Sequence, residues 1–567
     1  MAIETVDDIP YVPVIAPTVV KEPASVAIPV NHAERPEKFN GQNFKRWQQK
    51  IFFYLTMLNL ARFLTEDAPK PKEGETDIQV ASAIDAWHHS DFLCKNYVMN
   101  GLSDSLYNVY IGKKTTKEIW ESLDRKYKTE DAAEGILWKE AINSEVESIL
   151  QNHTWELVDL PPGCKPLGYK WIFQRKMKAD GSIDKYKARL VIKGYRQREG
   201  LDYFDTYSPV TRINFIRMII AIAALRNLEI HQMDVKTAFL NGDLDEEIYI
   251  EQPEGFIAPG QEKKVCKLVK SLYGLKQAPK QWHKKFDHTM ITSGFKINEC
   301  DKCIYVKETE NGYVILCLYV DDMLIVGSDD DMIKSTKNML KSKFDMKDMG
   351  LADVILGIKI SKASNGLILS SLMYLTNCTR PDLAYTVSKL SRYTSNPGTD
   401  HWKAIVKVLR YLRYTRNYGL HYTRYSEVLE GFSDANWISN VKDSKSTSGY
   451  VFTLAGAAVS WRSSNQTVIA RSTMESEFII LDKCGEEAEW LRNFLEGIPK
   501  WPKPVPTICI HCDSQSAIGR AQSNMYNSKS RYIRRKHNTI RQFISTGVIS
   551  IDYVRSKDNI VDPLTKG

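Results

Sequence analysis

The stretch Leu318-Tyr319-Val320-Asp321-Asp322-Met323-Leu324-Ile325 places two adjacent aspartates between two apolar runs of the kind that form buried strands. Neighbouring carboxylates repel each other, and burying either of them without a partner is costly. The arrangement therefore predicts a tight hairpin turn whose charges are neutralised by bound cations.

A third carboxylate completes this group. Asp234 ends the strand-like run 230–234 (IHQMD), 87 residues before Asp321. Three converging carboxylates can hold two Mg²⁺ ions, which lower the pKa of an attacking hydroxyl and stabilise a pentacovalent phosphate. Paired aspartates are also common in exposed turns. The apolar runs on both sides are what favour a catalytic, metal-binding turn here.

Length and composition limit the classes of protein that this chain can be. The 567 residues predict about three or four compact units. A hydrophobic fraction of 43% and a charged fraction of 26% exclude wholesale disorder and a fibrous repeat. The longest apolar run, 218–225, is too short to cross a bilayer, no signal-peptide pattern begins the chain, and the ten cysteines are scattered. These features predict an intracellular, soluble protein without a membrane partner.

Composition and periodicity predict five segments. Phe44, Trp47, Ile51 and Leu55 recur at helical spacing, and this helical pattern stops around 131–135. Short β-rich runs then alternate with helical stretches, and a strand-rich unit begins near residue 429. The predicted segments are an extended proline-rich leader (1–36), a helical domain (37–130), an α+β domain (131–360), a helical connection (361–428) and an α/β domain (429–567).

The positive charge is concentrated in one segment. The formal net charge is +8, and residues 165–198 alone contain eleven Lys or Arg against two Asp. Lys185, Lys187 and Arg189 alternate along a predicted strand, so they project from one face, where they could contact phosphates. A solvated surface ribbon would have the same pattern, so that alternative stays open.

A second set of carboxylates lies near the C-terminus. Asp434 is in a strand-like run, Glu477 lies near the start of an amphipathic helix, Asp513 follows a strand, and Asp562 lies in the sequence NIVDP. Four carboxylates at strand ends and helix starts can hold two divalent ions around a scissile phosphodiester. Each of them singly could instead be a helix cap or a surface acid.

Three motifs carry a family resemblance over about residues 138–360. The runs 232–242 (QMDVKTAFLNG), 271–279 (SLYGLKQAP) and 319–322 (YVDD) resemble the reverse transcriptase of copia-type LTR retrotransposons. The resemblance implies a fingers and palm fold that uses RNA template, DNA primer and dNTPs.

The same resemblance assigns roles to individual residues. It implies that Asp234, Asp321 and Asp322 are the metal-binding catalytic triad. The nucleotide-binding residues that it implies are Lys187 and Arg189 on the triphosphate, Phe239 against the sugar 2′ position, and Gln277 in the nucleotide pocket.

The C-terminal motifs resemble the ribonuclease H of the same elements. SDANW, STMESEF, CDSQSA and DNIVDPLTKG occur in family order. The resemblance implies cleavage of RNA in an RNA:DNA hybrid, with Asp434, Glu477, Asp513 and Asp562 as catalytic metal ligands and Glu477 preferred over Glu475. It implies two Mg²⁺ ions in each active site, with Mn²⁺ as an alternative ion.

The N-terminal unit resembles a copia-type Gag through 39–44 (FNGQNF), Trp47 and Trp120. That resemblance implies a helical, self-associating domain and a cytoplasmic location in virus-like particles, although a generic helical bundle would share these features. The predicted fold class is thus multidomain: an α-helical Gag-like domain, an α+β fingers and palm polymerase, and an α/β ribonuclease H-like domain.

Two departures from the family pattern indicate an internally deleted Gag-Pol polyprotein. No zinc knuckle, aspartic protease or integrase is recognisable between the Gag-like and polymerase segments. After 356–360 (LGIKI), the motif at 371–375 follows within ten residues, where the family has a longer stretch that includes the thumb. The prediction is an RNA-directed DNA polymerase with ribonuclease H activity. The alternative is a degenerate, catalytically silent nucleic-acid-binding or Gag-like protein.

Overall fold

The structure is a computed structural model that describes residues 36–41, 44–69, 78–177, 182–371, 375–424, 426–440, 443–525 and 530–566. The chain divides into two compact units, Met1–Ala141 and Ile142–Gly567. The predicted leader lies outside the described residues except for Pro36. No helix in the described parts of the chain is long and apolar enough to cross a membrane.

The first unit is helical, as the sequence predicts. Its helices are α1 (Phe44–Met57), α2 (Ile78–Asn100), α3 (Asp104–Tyr110) and the start of α4 (Thr116–Gln151). The helical spacing of the apolar residues in α1 buries one face of that helix. Phe39 stacks on Trp47 with ring centroids 4.9 Å apart and meets Tyr127 edge to face at 4.9 Å. These aromatic contacts form the centre of the core of this unit.

The predicted domain boundary at residue 131 falls inside a helix. Helix α4 continues through residues 131–135, and the division between the compact units falls at 141/142. The sequence DAAEG weakens the amphipathic pattern, but Ala and Glu are strong helix formers, and one Gly costs only about 1 kcal/mol in a helix. The helix therefore runs through the segment.

Residues 152–268 form two small sheets and the start of a larger one. Their elements are β1 (Trp155–Val158), β2 (Tyr169–Met177), β3 (Ile183–Ile192), α5 (Ile213–Arg226), β4 (Glu229–Val235), β5 (Tyr249–Ile250) and β6 (Val265–Leu268). Strands β2 and β3 form an antiparallel ribbon, and β1, β6 and β5 form a three-stranded sheet. This is the region in which the resemblance implies fingers.

The next residues complete a six-stranded sheet. Their elements are α6 (Ala278–Thr292), β7 (Lys296–Asn298), β8 (Asp301–Glu308), β9 (Tyr313–Tyr319), β10 (Asp322–Gly327), α7 (Asp330–Lys343) and β11 (Met346–Leu351). The strand order is β11-β4-β10-β9-β8-β7. Alternate residues of β9 point into different cores, with Ile315 and Cys317 on the α5 side and Leu316 and Leu318 on the side of α6 and α7. Helices on both faces therefore explain why this strand is continuously apolar.

The predicted helical connection, 361–428, also contains strands. Its own elements are β14 (Gly366–Ser371), α8 (Leu375–Cys378), α9 (Ala384–Leu390), α10 (Thr399–Tyr414) and β15 (Leu420–Thr423). Strand β12 (Val354–Ile355) precedes the segment and β13 (Ile358–Ala363) runs into it, and the four strands form one sheet in the order β12-β13-β14-β15. The prediction missed β14 and β15. Ala363 and Gly366 are register partners, so Ser364 and Asn365 form the two-residue loop that folds β14 back on β13.

The last segment is α/β, as predicted. Its elements are β16 (Glu430–Asn440), β17 (Lys445–Leu454), β18 (Ala457–Asn465), α11 (Thr473–Glu496), β19 (Ile508–Cys512), α12 (Gln515–Gln522), α13 (Arg531–Ser545) and β20 (Ile549–Tyr553). The sheet order is β18-β17-β16-β19-β20, antiparallel among the first three strands and parallel thereafter.

One hydrophobic core joins the polymerase-like and nuclease-like segments. It contains the buried residues of α5, the α5-facing side of β9 and β10, and the packed residues of α11 and its sheet. These two predicted domains therefore belong to a single compact unit.

Candidate active sites

The hairpin predicted around Asp321 and Asp322 is present. Tyr319 and Asp322 are register partners, so Val320 and Asp321 form a two-residue loop between β9 and β10. Val320 has φ +59°, a strained conformation for a β-branched residue that typically costs about 1–3 kcal/mol. Its carbonyl accepts a hydrogen bond from Trp282 Nε1 at 2.7 Å, and the carbonyl of Asp321 accepts one from the Val235 amide at 2.9 Å. The surrounding fold thus holds the turn in place.

Strand register brings the three aspartates together. Asp234 and Asp322 are paired residues of the antiparallel strands β4 and β10, and Asp321 directly precedes β10. Burial, followed by the negative charge of Asp321, raises the pKa of Asp234. Burial also raises the pKa of Asp322, against a hydrogen bond of 3.2 Å that Gln232 Nε2 donates to its Oδ1. This half-buried cluster of like charges is the environment that a bound cation would stabilise.

The basic face of β3 lies close enough to this cluster to shift the pKa of one of its carboxyl groups. Lys187 and Arg189 are alternate residues of β3 and lie on one face. Lys187 lowers the pKa of Asp234, although less than burial and Asp321 raise it. Burial, followed by the charge of Arg189, lowers the pKa of Lys187 itself. A polyanion would relieve this crowding of positive charges.

Two residues that the sequence analysis did not assign join the same group. The guanidinium of Arg189 lies over the ring of Tyr273, 4.4 Å from its centroid, and Tyr273 meets Phe239 edge to face at 5.0 Å. Glu145 is buried and accepts a hydrogen bond from the Leu190 amide at 3.4 Å. Tyr273 lies inside the motif SLYGLKQAP and could have been found there, whereas nothing in the sequence around Glu145 marks it.

The structure does not place Gln277 in a nucleotide pocket. Its side chain is completely buried. Its Oε1 accepts from Gln197 Nε2 at 3.0 Å, and its Nε2 donates to the Asp202 carbonyl at 3.0 Å and to Glu246 Oε2 at 3.3 Å. All of its polar atoms are thus used within the protein, and it links the start of α6 to the neighbouring loops.

The four C-terminal carboxylates come from four separate elements. Asp434 lies on β16, Glu477 in the first turns of α11, Asp513 directly after β19, and Asp562 at the start of the 3₁₀ helix Asp562–Leu564. The parallel pairing of Ser433 with Cys512 places the residues that follow them side by side.

A glycine lets the C-terminal segment reach this group. A Cβ at Gly449, the register partner of Asp434, would lie 2.9 Å from side-chain atoms of Val561 and Thr565. Asn559 Nδ2 donates to the Ser433 carbonyl at 2.9 Å, which fixes the same segment on β16. Asp562 is thereby held beside the sheet.

Glu477 has the most perturbed carboxyl of this cluster. Burial, followed by the charge of Asp434, raises its pKa to about 9. Its Oε1 accepts from the Ala435 amide at 2.9 Å, whereas its buried Oε2 has no hydrogen-bond partner among the described residues. Burial also raises the pKa of Asp434. A buried carboxylate oxygen without a partner, beside further carboxylates, fits a divalent cation.

Oxygen ligands are favoured over sulfur in this site. Ligand atoms of Glu477, Cys512 and Asp513 lie within 4.8 Å of one another. Burial raises the pKa of the Cys512 thiol to about 12, and a hard divalent cation prefers carboxylate oxygens to sulfur. The carboxylates are therefore the donors that a hard cation would find.

Glu475, the alternative to Glu477, has a different role. Its Oε2 accepts from the Arg471 amide at 2.6 Å, and its own amide donates to Ser472 Oγ at 3.2 Å. These two hydrogen bonds hold Glu475 at the start of α11, whereas Glu477 lies beside Asp434.

Lys566 and Thr565, which the sequence analysis did not single out, contact the same carboxylates. Lys566 Nζ forms an ion pair with Asp562 and lies 3.9 Å from Asp434 Oδ1. The Thr565 hydroxyl donates to Asp434 Oδ2. The lysine ammonium thus partly balances the negative charge of the site.

A cavity of about 890 Å³ lies away from both carboxylate clusters. Its lining contains none of the seven carboxylates predicted to bind metal. Five acidic residues line it, namely Asp202, Asp205, Asp245, Glu246 and Glu247. Four basic residues, Lys165, Arg198, Lys280 and Lys284, line the same cavity, so its wall has no strong excess of either charge.

Comparisons with known proteins find relatives of this chain. Residues 152–386 match the family described as reverse transcriptase (RNA-dependent DNA polymerase). The chain is 40% identical over 484 residues to the retrovirus-related Pol polyprotein from transposon TNT 1-94 of Nicotiana tabacum, which covers 75% of this chain and 36% of that protein. The chain therefore spans just over a third of that relative's length.

Two further similarities differ in strength. A transposon Ty5-1 protein of Saccharomyces cerevisiae is 32% identical over 299 residues, covering 44% of this chain and 97% of its own length. Among solved structures, a foamy viral protease-reverse transcriptase in complex with double-stranded DNA has 11% identity and a TM-score of 0.42, covering 74% of this chain and 70% of that one. The structural similarity is too weak to carry an inference about this chain.

Proposed function

Because the chain belongs to the family of copia-type retrotransposon Pol polyproteins, we propose that it is an RNA-directed DNA polymerase with ribonuclease H activity. The observation that carries the proposal is the register pairing of Asp234 with Asp322 beside Asp321, on a turn whose strain is held by two hydrogen bonds. A fold keeps such a costly turn where the position of the carboxylates matters.

In the polymerase site, Asp234, Asp321 and Asp322 would hold two divalent cations, with Mg²⁺ as the ion expected for oxygen ligands. When bound, these ions supply positive charge that stabilises the phosphate in the transition state. Gln232 holds one oxygen of Asp322 by its hydrogen bond and so orients that carboxylate.

The surrounding side chains bind and select the nucleotide. Lys187 and Arg189 bind the triphosphate by charge-assisted hydrogen bonds. Arg189 is already held against Tyr273, so less entropy is lost when it binds. The ring of Phe239 packs on Tyr273, and its position favours a deoxyribose because a 2′-hydroxyl would crowd it.

In the nuclease site, Asp434, Glu477, Asp513 and Asp562 would hold the second pair of divalent cations. Glu477 offers an oxygen with no hydrogen-bond partner among the described residues, and Asp434 is oriented by the Thr565 hydroxyl. The substrate that this proposal assigns is the RNA strand of an RNA:DNA hybrid.

Primer extension on an RNA template tests the polymerase. Asp321→Asn should lower incorporation about a thousandfold or more, because several kcal/mol of charge stabilisation are lost. Asp345→Asn is the matched control, since Asp345 is an exposed palm residue that pairs with Lys236 at 3.0 Å outside the triad. Equal incorporation by the wild type and Asp321→Asn would reject the assignment.

Cleavage of a preformed RNA:DNA hybrid tests the nuclease separately. Asp434→Asn should abolish cleavage, whereas Asp552→Asn, at an exposed position of β20, should retain it. A catalytically silent nucleic-acid-binding protein would bind both substrates through its basic β3 face and show neither activity.

The proposal also includes self-association through the helical N-terminal unit. Phe53 and Met57 of α1 are 69% and 64% exposed, which is unusual for large apolar side chains. Phe53→Ser should shift the full chain toward monomer in light scattering. An unchanged molar mass would remove α1 from any interface.

A further inference from the structure

Helix α5 connects the two proposed active sites through a buried polar and aromatic junction. At its C-terminal end, α5 leads directly into β4, which carries Asp234. One face of the same helix packs against β18 and α11, and α11 carries Glu477.

The centre of the junction is Arg217, which is 1% exposed. Its Nε donates to the Val459 carbonyl on β18 at 2.7 Å. One terminal nitrogen donates to the Asn377 and Cys378 carbonyls of α8 at 2.6 and 3.3 Å. The guanidinium also lies over the ring of Trp461, 3.8 Å from its centroid. A single side chain therefore joins the palm helix to the nuclease sheet and to the segment between them.

Arg217 is a charged group buried without a carboxylate partner. Among the described residues, no acidic side chain forms an ion pair with it. Burial lowers its pKa to about 10, which still leaves it charged at neutral pH. The carbonyls and the ring of Trp461 offset the cost of desolvation only in this geometry, because each hydrogen bond fixes a direction as well as a distance.

Neighbouring residues extend the junction along α5 and α11. Asn214 accepts from Arg217 at 3.1 Å and donates to Glu487 Oε1 at 2.8 Å on α11. Phe215 stacks on Phe494 with centroids 4.5 Å apart and an interplanar angle of 12°. Both contacts reach α11, the helix that carries Glu477 in its first turns.

We propose that Arg217 is a positioning residue that locks the polymerase and nuclease sites at a fixed separation, so that hybrid cleavage occurs at a fixed distance from the primer 3′ end. The lock itself follows from the contacts, whereas its consequence for cleavage rests on the proposed function. Arg217 touches neither carboxylate cluster, and it acts through β4 on one side and α11 on the other.

A distance measurement tests the lock without any enzymatic readout. Labels carried by unnatural amino acids at Lys343 of α7 and Asn538 of α13, both exposed, report the separation of the two segments. The wild type should give one narrow distance distribution. Arg217→Met should give a distribution at least about twofold broader, because the hydrogen bonds of the guanidinium are lost. A distribution as narrow as that of the wild type would overturn the proposal.

The matched control separates loosening from general destabilisation. Leu340→Ala removes a fully buried side chain of α7 outside the junction and should lower stability while leaving the distribution narrow. Arg217→Lys keeps the positive charge but loses the several directed N–H donors of the guanidinium. The width of its distance distribution should lie between those of the wild type and Arg217→Met. If Arg217→Met fails to fold, Asn214→Ala removes the link to Glu487 and should broaden the distribution less strongly.

Cut positions on a labelled RNA template test the consequence. With the primer 3′ end fixed by a chain terminator, wild type should cut the RNA in one narrow cluster that moves by one nucleotide for each nucleotide added to the primer. Arg217→Met should keep total cleavage within about threefold but spread the cuts over several positions. Cuts clustered as in the wild type would overturn the positioning role. Absence of Asp434-dependent cleavage in the wild type would instead reject the proposed function. The distance distributions would still show whether Arg217 fixes the separation of the two segments.

Discussion

Replacing Glu477 by glutamine should stabilise the metal-free protein at neutral pH while removing the proposed ribonuclease H activity. The pKa of Glu477 is raised from 4.5 to about 9, first by burial and then by Asp434. Below pH 4.5 the carboxyl is protonated in both the folded and the unfolded chain, so it imposes no penalty. As the pH rises from 4.5 to 9, only the unfolded chain can ionise freely, so folding stability is progressively lost.

The size of the stabilisation follows from the pH range between the unfolded and folded pKa values of Glu477. At pH 7 the penalty is at most about 3 kcal/mol, from roughly 2.5 pH units at 1.36 kcal/mol each. For a unit of this size, that corresponds to a rise of about 3–4 °C in the unfolding midpoint of Glu477→Gln. At pH 5 the same comparison should give less than about 1 kcal/mol, because the carboxyl of the unfolded chain is then partly protonated.

The assay is thermal unfolding in EDTA at pH 7 and pH 5. Glu475→Gln is the matched control, because Glu475 belongs to the helix cap and should show no such gain. Added Mg²⁺ should raise the midpoint of the wild type and have a much smaller effect on Glu477→Gln. A variant that is destabilised at pH 7, or one whose gain is equal at both pH values, would refute the reasoning.

Three further predictions concern other parts of the two sites. Lys566→Met should lower the Mg²⁺ concentration needed for half-maximal hybrid cleavage about threefold. The effect is modest because the Lys566 ammonium, which competes with a cation near Asp434, is half-exposed. An unchanged Mg²⁺ midpoint would argue against that competition. Gly194→Ala should lower the free energy of unfolding in urea by about 2–3 kcal/mol, because the new Cβ would lie 1.9 Å from the Gly274 carbonyl oxygen. An unchanged free energy of unfolding would show that the backbone moves to make room for the methyl group. Lys187→Met should raise the KM for dNTPs about tenfold with kcat within about threefold, whereas an unaltered KM would exclude a triphosphate contact.

Parts of the two candidate sites were predictable from sequence because they depend on local patterns. Apolar runs on both sides of Asp321 and Asp322 specify a hairpin, and period-two alternation places Lys187 and Arg189 on one face. The structure also brings Glu477, rather than Glu475, beside Asp434. The roles of these residues stay predictions until they are tested.

The features that sequence reasoning missed depend on tertiary contacts. The continuity of α4 through residues 131–135 follows from helix propensity, which outweighed a weakened amphipathic pattern. Gln277 lies in a recognisable motif, but its burial and its three internal partners appear only when distant loops meet. The junction around Arg217 joins residues 160 to 242 positions apart, which no local pattern encodes. The expected missing segment after residue 360 stays a prediction.

One reaction tests the central claim that this chain carries two separate phosphodiester chemistries. A labelled RNA template annealed to a labelled DNA primer is incubated with the full chain, dNTPs and Mg²⁺, and both strands are followed. If both activities are present, the primer lengthens and the RNA shortens, Asp321→Asn abolishes only primer extension, and Asp434→Asn abolishes only RNA cleavage. Binding of the hybrid with neither strand changed would contradict this claim.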